Sequence, residues 1–259
     1  MQSLPTMPQK PPAGALPNST SVKAAGTGAL KWFRCAAAIL AKEARVEWRS
    51  RLAVGSTLLF SLCALTAMAY TIGQTKLQPS VEAALLWVVL LFAAMSGLSR
   101  PFVREEEMAT ADNLRLYAPS SAVLAGKLLF NLAFMGLIEL VTVPLFFVIM
   151  PADLSSTNYG LLVTISLLGG AGLAATSTFV AALISQASAA GARGALFFVV
   201  SFPALVPVLM AAVHGTYAAL APAATPPEFG QNSIVTLISY DIVVTAAAYL
   251  LFDWVWRES

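Results

Sequence analysis

The sequence predicts an all-α membrane protein. It has six transmembrane helices, an N-terminal amphipathic interfacial helix, and a short cytoplasmic helix between the second and third spans. Three observations carry this reading. Of 259 residues, 58% are hydrophobic and only 11% charged, where a soluble domain carries about 25% charged residues. Apolar runs long enough to cross hydrocarbon recur along the chain. Lys and Arg then fall on one side of the layout that those runs define.

Residues 1–28 are rich in Pro, Ser, Thr, Gly and Ala and hold few large apolar groups. Such a segment buries too little surface to fold and is expected to be a disordered tail. It has no hydrophobic core of the kind a secretory signal needs. Free of acids and carrying Lys10 and Lys23, it shares some features with an organelle transit peptide, but a plain bacterial tail is the preferred reading.

Residues 30–50 read as the interfacial helix. At about 100° per residue, Trp32, Ala36, Ile39, Leu40 and Val46 gather on one side. Lys31, Arg34, Lys42, Arg45 and Arg49 gather on the other, a pattern suited to a headgroup layer. Glu43 and Glu47 fall near the apolar stripe. They either face protein or pair with neighbouring Lys and Arg.

Six spans follow, at about 52–72, 81–98, 123–150, 160–184, 195–213 and 234–252, within one transmembrane domain covering 29–259. With the N-terminus inside, the inner segments are 1–51, 99–122, 185–194 and the tail after Phe252. Of the 15 Lys and Arg, only Lys76 falls outside. Lys127, one turn into the third span on the inner side, can snorkel. Gly169, Gly170, Gly172, Ala174 and Ala175 crowd the fourth span and favour close helix packing, with or without a transport role.

Several function classes drop out. The net charge of +2 gives no reason to expect nucleic acid. Cys35 and Cys63 form no CxxC, so neither a disulfide framework nor a metal knuckle is indicated. No GxxxxGK[ST] occurs and no GxGxxG opens a helix, so the chain has no P-loop with which to hydrolyse ATP. No His pair or Ser/His/Asp set indicates catalysis, and the chain is expected not to be an enzyme. If its work needs energy, that energy must come from a partner or a gradient.

Glu82 stands at a helix start and suits the helix dipole. Glu139, near the middle of the third span, and Asp241, about two turns into the sixth, are intramembrane acids. These are costly and face protein or water, so they either line a substrate path or make interhelical hydrogen bonds. His214, the sole histidine, is placed at the outer end of the fifth span. It is either an interfacial polar residue or a candidate haem contact. The inner loop 100–122 is the foremost functional candidate. Arg104, Glu105, Glu106 and Glu107 make a dense charged surface, with Phe102, Leu114, Leu116 and Tyr117 as apolar anchors for a docking partner. The alternative is a solvated loop, though the positive-inside rule does not call for three glutamates.

The run Leu86-Trp87-Val88-Val89-Leu90-Leu91-Phe92-Ala93, then Leu98-Ser99-Arg100-Pro101-Phe102 and acids, resembles the haem exporter protein B family (CcmB) of cytochrome c maturation. So do Leu116-Tyr117-Ala118-Pro119, Ala125-Gly126-Lys127, the proline pair in Phe202-Pro203-Ala204-Leu205-Val206-Pro207, and Glu43-Ala44-Arg45-Val46-Glu47-Trp48-Arg49. The resemblance covers roughly residues 40–255. It implies an ABC-2-like exporter fold and a membrane subunit driven by a separate ATPase chain, with haem-handling membrane proteins alongside. The inner loop would then hold the coupling helix, with Arg104, Glu105, Glu106 and Glu107 as ATPase-coupling residues. Haem would be substrate rather than cofactor. Two membrane subunits per transporter, a bacterial inner-membrane location and cytoplasmic termini complete the expectation. Alternatives are a permease for another lipid, drug or saccharide, and a scaffold that does not transport.

Overall fold

The computed structural model describes residues 20–73, 75–98, 118–150, 155–184 and 193–257. They form seven helices: α1 (Thr20–Ser50), α2 (Leu52–Ile72), α3 (Pro79–Gly97), α4 (Ser120–Ile149), α5 (Tyr159–Ile184), α6 (Arg193–Leu220) and α7 (Pro227–Arg257). No strand occurs among the described residues. Helices α2 to α7 are each long and apolar enough to cross a bilayer, since about 20 residues at 1.5 Å rise span the hydrocarbon.

α5 is the central helix. Within its most apolar stretch 67% of residues are enclosed by protein, against 11% in α7 and 22% in α2. α5 packs on α3, α4, α6 and α7. The outer faces of α2, α4 and α7 show Leu59, Phe60, Leu140, Val148 and Leu250 to the surroundings, as lipid-facing helices do. Prolines stand where helices begin: Pro79 at the start of α3, Pro119 just before α4 and Pro227 at the start of α7. There the missing N–H has no helical partner to lose. Pro203 and Pro207 lie inside α6.

α1 begins at Thr20, ahead of residue 30 where the amphipathic pattern starts; residues 1–19, the rest of the expected disordered tail, lie outside the described residues. α1 lies across the first turns of α4. Ala36 and Ile39 press on Gly126, where a Cβ would come within 2.8 Å of the Ala36 carbonyl oxygen. Trp32 Nε1 donates to Ser121 Oγ at 2.9 Å. This close crossing changes the expectation for Lys127. Its side chain is fully enclosed, and it is engaged in an interaction rather than extended to the surface.

The α1–α2 elbow is built by two residues. Arg51 adopts a left-handed conformation, φ 50°, which turns the chain at some cost for a residue with a Cβ. Arg51 cannot cap α2 with its side chain. Glu47, from the last turn of α1, does so instead, accepting the Val54 N–H at 2.9 Å. A carboxylate on the free N–H groups of a helix start is favoured by hydrogen bonding and by the dipole. Glu43 is buried and pairs with Lys42 at 2.9 Å. The two acids near the apolar stripe thus divide between the two readings of them.

Candidate functional site

The centre of the bundle is organised by three glycines of α5. Each receives a group from a different neighbour. Trp87 of α3, fully buried, lays its ring against Gly169. Its Nε1 donates to Thr216 Oγ1 of α6 at 2.8 Å, so the indole ties three helices together. Gly170 receives the carboxyl of Glu139 from α4, where a Cβ would lie 2.6 Å from Glu139 Cδ. Gly172 receives Asp241 of α7, with a Cβ 2.8 Å from Oδ1 and 3.0 Å from the Val208 methyls of α6. No residue with a side chain fits these seats without displacing a neighbour.

Glu139 and Asp241 therefore share one helix but not one face. Residues 170 and 172 are two apart, about 200° around an α-helix, so the acids approach α5 from opposite sides. Glu139 is 5% exposed. Glu139 Oε1 and Asp241 Oδ1 are buried and have no hydrogen-bond partner among the described residues. A buried polar atom left in this state is costly and calls for an explanation.

Beside Asp241, Tyr240 makes the polar links that the acid does not. Its hydroxyl donates to the Ala204 carbonyl, between Pro203 and Pro207, and accepts from Thr176 Oγ1 at 3.3 Å. The proline-bearing part of α6 is thus held to α7 and α5.

His214 is not at the end of its helix. α6 continues to Leu220, because Gly215 and Thr216 are used for packing and not for a turn. Gly215 fits against Ile165 and Ser233, and Thr216 accepts from Trp87. The imidazole is exposed, 6.2 Å from the Phe229 ring between centroids. It edges a groove of 390 Å³ between α6 and α7 that includes Met210, Asn232 and Thr236. His214 is thus apart from the two seated acids. Glu82, in the first turn of α3, is buried and engaged. Among the described residues no three His, Cys, Asp or Glu side chains group as a metal site.

Arg104, Glu105, Glu106 and Glu107 lie outside the described residues, but the anchors on either side of that loop are visible. The Leu98 carbonyl, at the end of α3, accepts from Asn131 Nδ2 of α4 at 3.1 Å. The same nitrogen donates to Thr178 Oγ1 of α5 at 2.8 Å. At the other end, Ser120 Oγ donates to Asp253 Oδ1 of α7 at 2.5 Å. Sequence reasoning missed Asn131 and Asp253. A buried Asn in an apolar span was the available signal.

No curated protein matches the chain. The family model described as CcmB protein matches residues 34–249, from within α1 to within α7. That match takes in all of α2 to α6, so the chain belongs to the CcmB protein family, the haem-exporter-type membrane subunits of ABC transporters.

Proposed function

We propose that this chain carries motion from a separate ATPase chain into haem export, or into release of a haem-loaded chaperone, during c-type cytochrome maturation. A CcmB chain is a multi-pass permease subunit and not a catalytic enzyme, so the energy enters from a partner. The observation that carries the reading is the family match across the spans. The loop anchors support its mechanical part. A push on Arg104, Glu105, Glu106 and Glu107 would reach α5 through Leu98–Asn131–Thr178 and α7 through Ser120–Asp253. In the centre, Glu139 and Asp241 are seated on glycines without hydrogen bonds to their buried oxygens. They can exchange one set of neighbours for another as helices shift between inward- and outward-open states. His214, exposed beside a groove, would meet haem iron from outside the bundle. Two copies of the chain make up the pathway, in a bacterial inner membrane with both termini cytoplasmic.

The test is co-purification with the ATPase. Replacing Glu105, Glu106 and Glu107 together by Ala should abolish association and the stimulation of ATP hydrolysis; unchanged association and coupling would refute the docking role. Cells lacking the chain should lose c-type cytochromes, and normal levels would refute the haem reading.

A further inference from the structure

A groove of 550 Å³ opens where α1 ends and α2 begins. Its long wall is α4, through Phe130, Phe134 and Leu137. These stand four and three residues apart, so they lie along one face for about 10 Å. On the α2 side Gly55 leaves the space open, since a Cβ there would meet nothing within 4 Å. Arg51 and Trp48 stand at the mouth, the guanidinium carbon 5.7 Å from the ring centroid. Trp48 is 76% exposed. No acid among the described residues pairs with Arg51. Glu47, whose carboxylate also lines the groove, is committed to the Val54 N–H.

We propose that this groove binds a phospholipid with an anionic headgroup, its phosphate on Arg51 and one acyl chain along Phe130, Phe134 and Leu137. The groove's lining carries Arg51 and, beside it, the Glu47 carboxylate already taken up by the Val54 N–H, and is otherwise largely apolar. Its depth suits a lipid. Arg51 precedes the first residue of a membrane-spanning helix, at the level where Trp and Arg meet headgroups. The positively charged face of α1 raises the local concentration of anionic lipid. A second copy of the chain seated here would have to bring an acid to Arg51, because burying an unpaired guanidinium is costly. The inference rests on the membrane-spanning helices and not on what the chain transports. A bound lipid would brace the elbow that joins α1 to the bundle.

Native mass spectrometry of the full chain, purified in detergent with equal phosphatidylglycerol and phosphatidylcholine, reads the site directly. The expected result is preferential retention of phosphatidylglycerol. Arg51→Gln should lower that preference about fivefold, the effect of one cation near anionic headgroups. Gly55→Leu, which grows into open space, should displace lipid of both kinds while thermal stability is kept. Should Gly55→Leu fail to fold, Ala133→Leu, exposed on the α4 wall, makes the same test. Equal retention of the two lipids by the native chain, or native occupancy in the variants, would overturn the proposal. So would a groove-filling variant that changes the oligomeric mass and leaves bound lipid unchanged, because the occupant would then be a second copy.

Discussion

Gly170→Ala tests the seat of Glu139. The added carbon would lie 2.6 Å from Cδ and from Oε2 of that side chain, where non-bonded carbon contacts settle at about 3.5–4.0 Å. Glu139 is 5% exposed, so its carboxyl has no solvent to swing into. Either α4 draws away from α5 or the side chain leaves its rotamer. Inserting a methyl into a filled interior in this way costs about 1–3 kcal/mol. Glu139→Ala removes the opposing group, and with it a buried oxygen that has no partner. In the double variant the new methyl enters the vacated space. The two substitutions should therefore couple, the pair being more stable than the sum of the singles by about 1–2 kcal/mol. Reversible unfolding of the purified chain in mixed detergents, run on all four proteins, measures this. If Gly170→Ala costs the same with and without Glu139, to within about 0.5 kcal/mol, the carboxyl is not seated on that glycine and the reasoning fails.

Three other predictions follow from single contacts. Trp87→Phe should cost about 1 kcal/mol or more by losing the Thr216 bond; after Thr216→Val the further cost should be smaller, read by the same unfolding cycle. Glu47→Ala should destabilise the start of α2 by about 1 kcal/mol, seen as faster hydrogen exchange at Val54 while mid-bundle amides stay protected. Asn131→Leu leaves the Leu98 carbonyl and Thr178 without their donor. It should cost about 1–3 kcal/mol and reduce stimulation of the partner ATPase even where the two chains still associate.

Some of this could be seen from the residues alone and some could not, for identifiable reasons. α2 and α3 start at or near the expected residues because Arg51 and Pro79 bound them chemically. α6 runs on to Leu220, beyond the expected 213, because His214-Gly215-Thr216 looks like a boundary only in one dimension. In the bundle the same residues meet Ile165, Ser233 and Trp87. That Lys127 is enclosed cannot be read from its neighbours in sequence, because nothing there indicates that α1 crosses over Gly126. The glycine cluster of α5 signalled close approach, but which group fills each notch depends on three other helices.

The sequence by itself determined that this protein lives in a bilayer, which of its stretches are long and apolar enough to cross it, and which family it belongs to. These are properties of composition, run length and local motif, each summed or read along a continuous stretch. Only the tertiary structure decided which face of each span is enclosed, that Glu139 and Asp241 sit on opposite sides of α5, and that Glu47 caps the helix after its own. The physical reason is the solvent. A helix with one side in water or among headgroups must turn polar residues to that side and so records its buried one, as α1 does. A helix in lipid is apolar all round, and its orientation is set by where glycines let a neighbour's tryptophan or carboxyl come close.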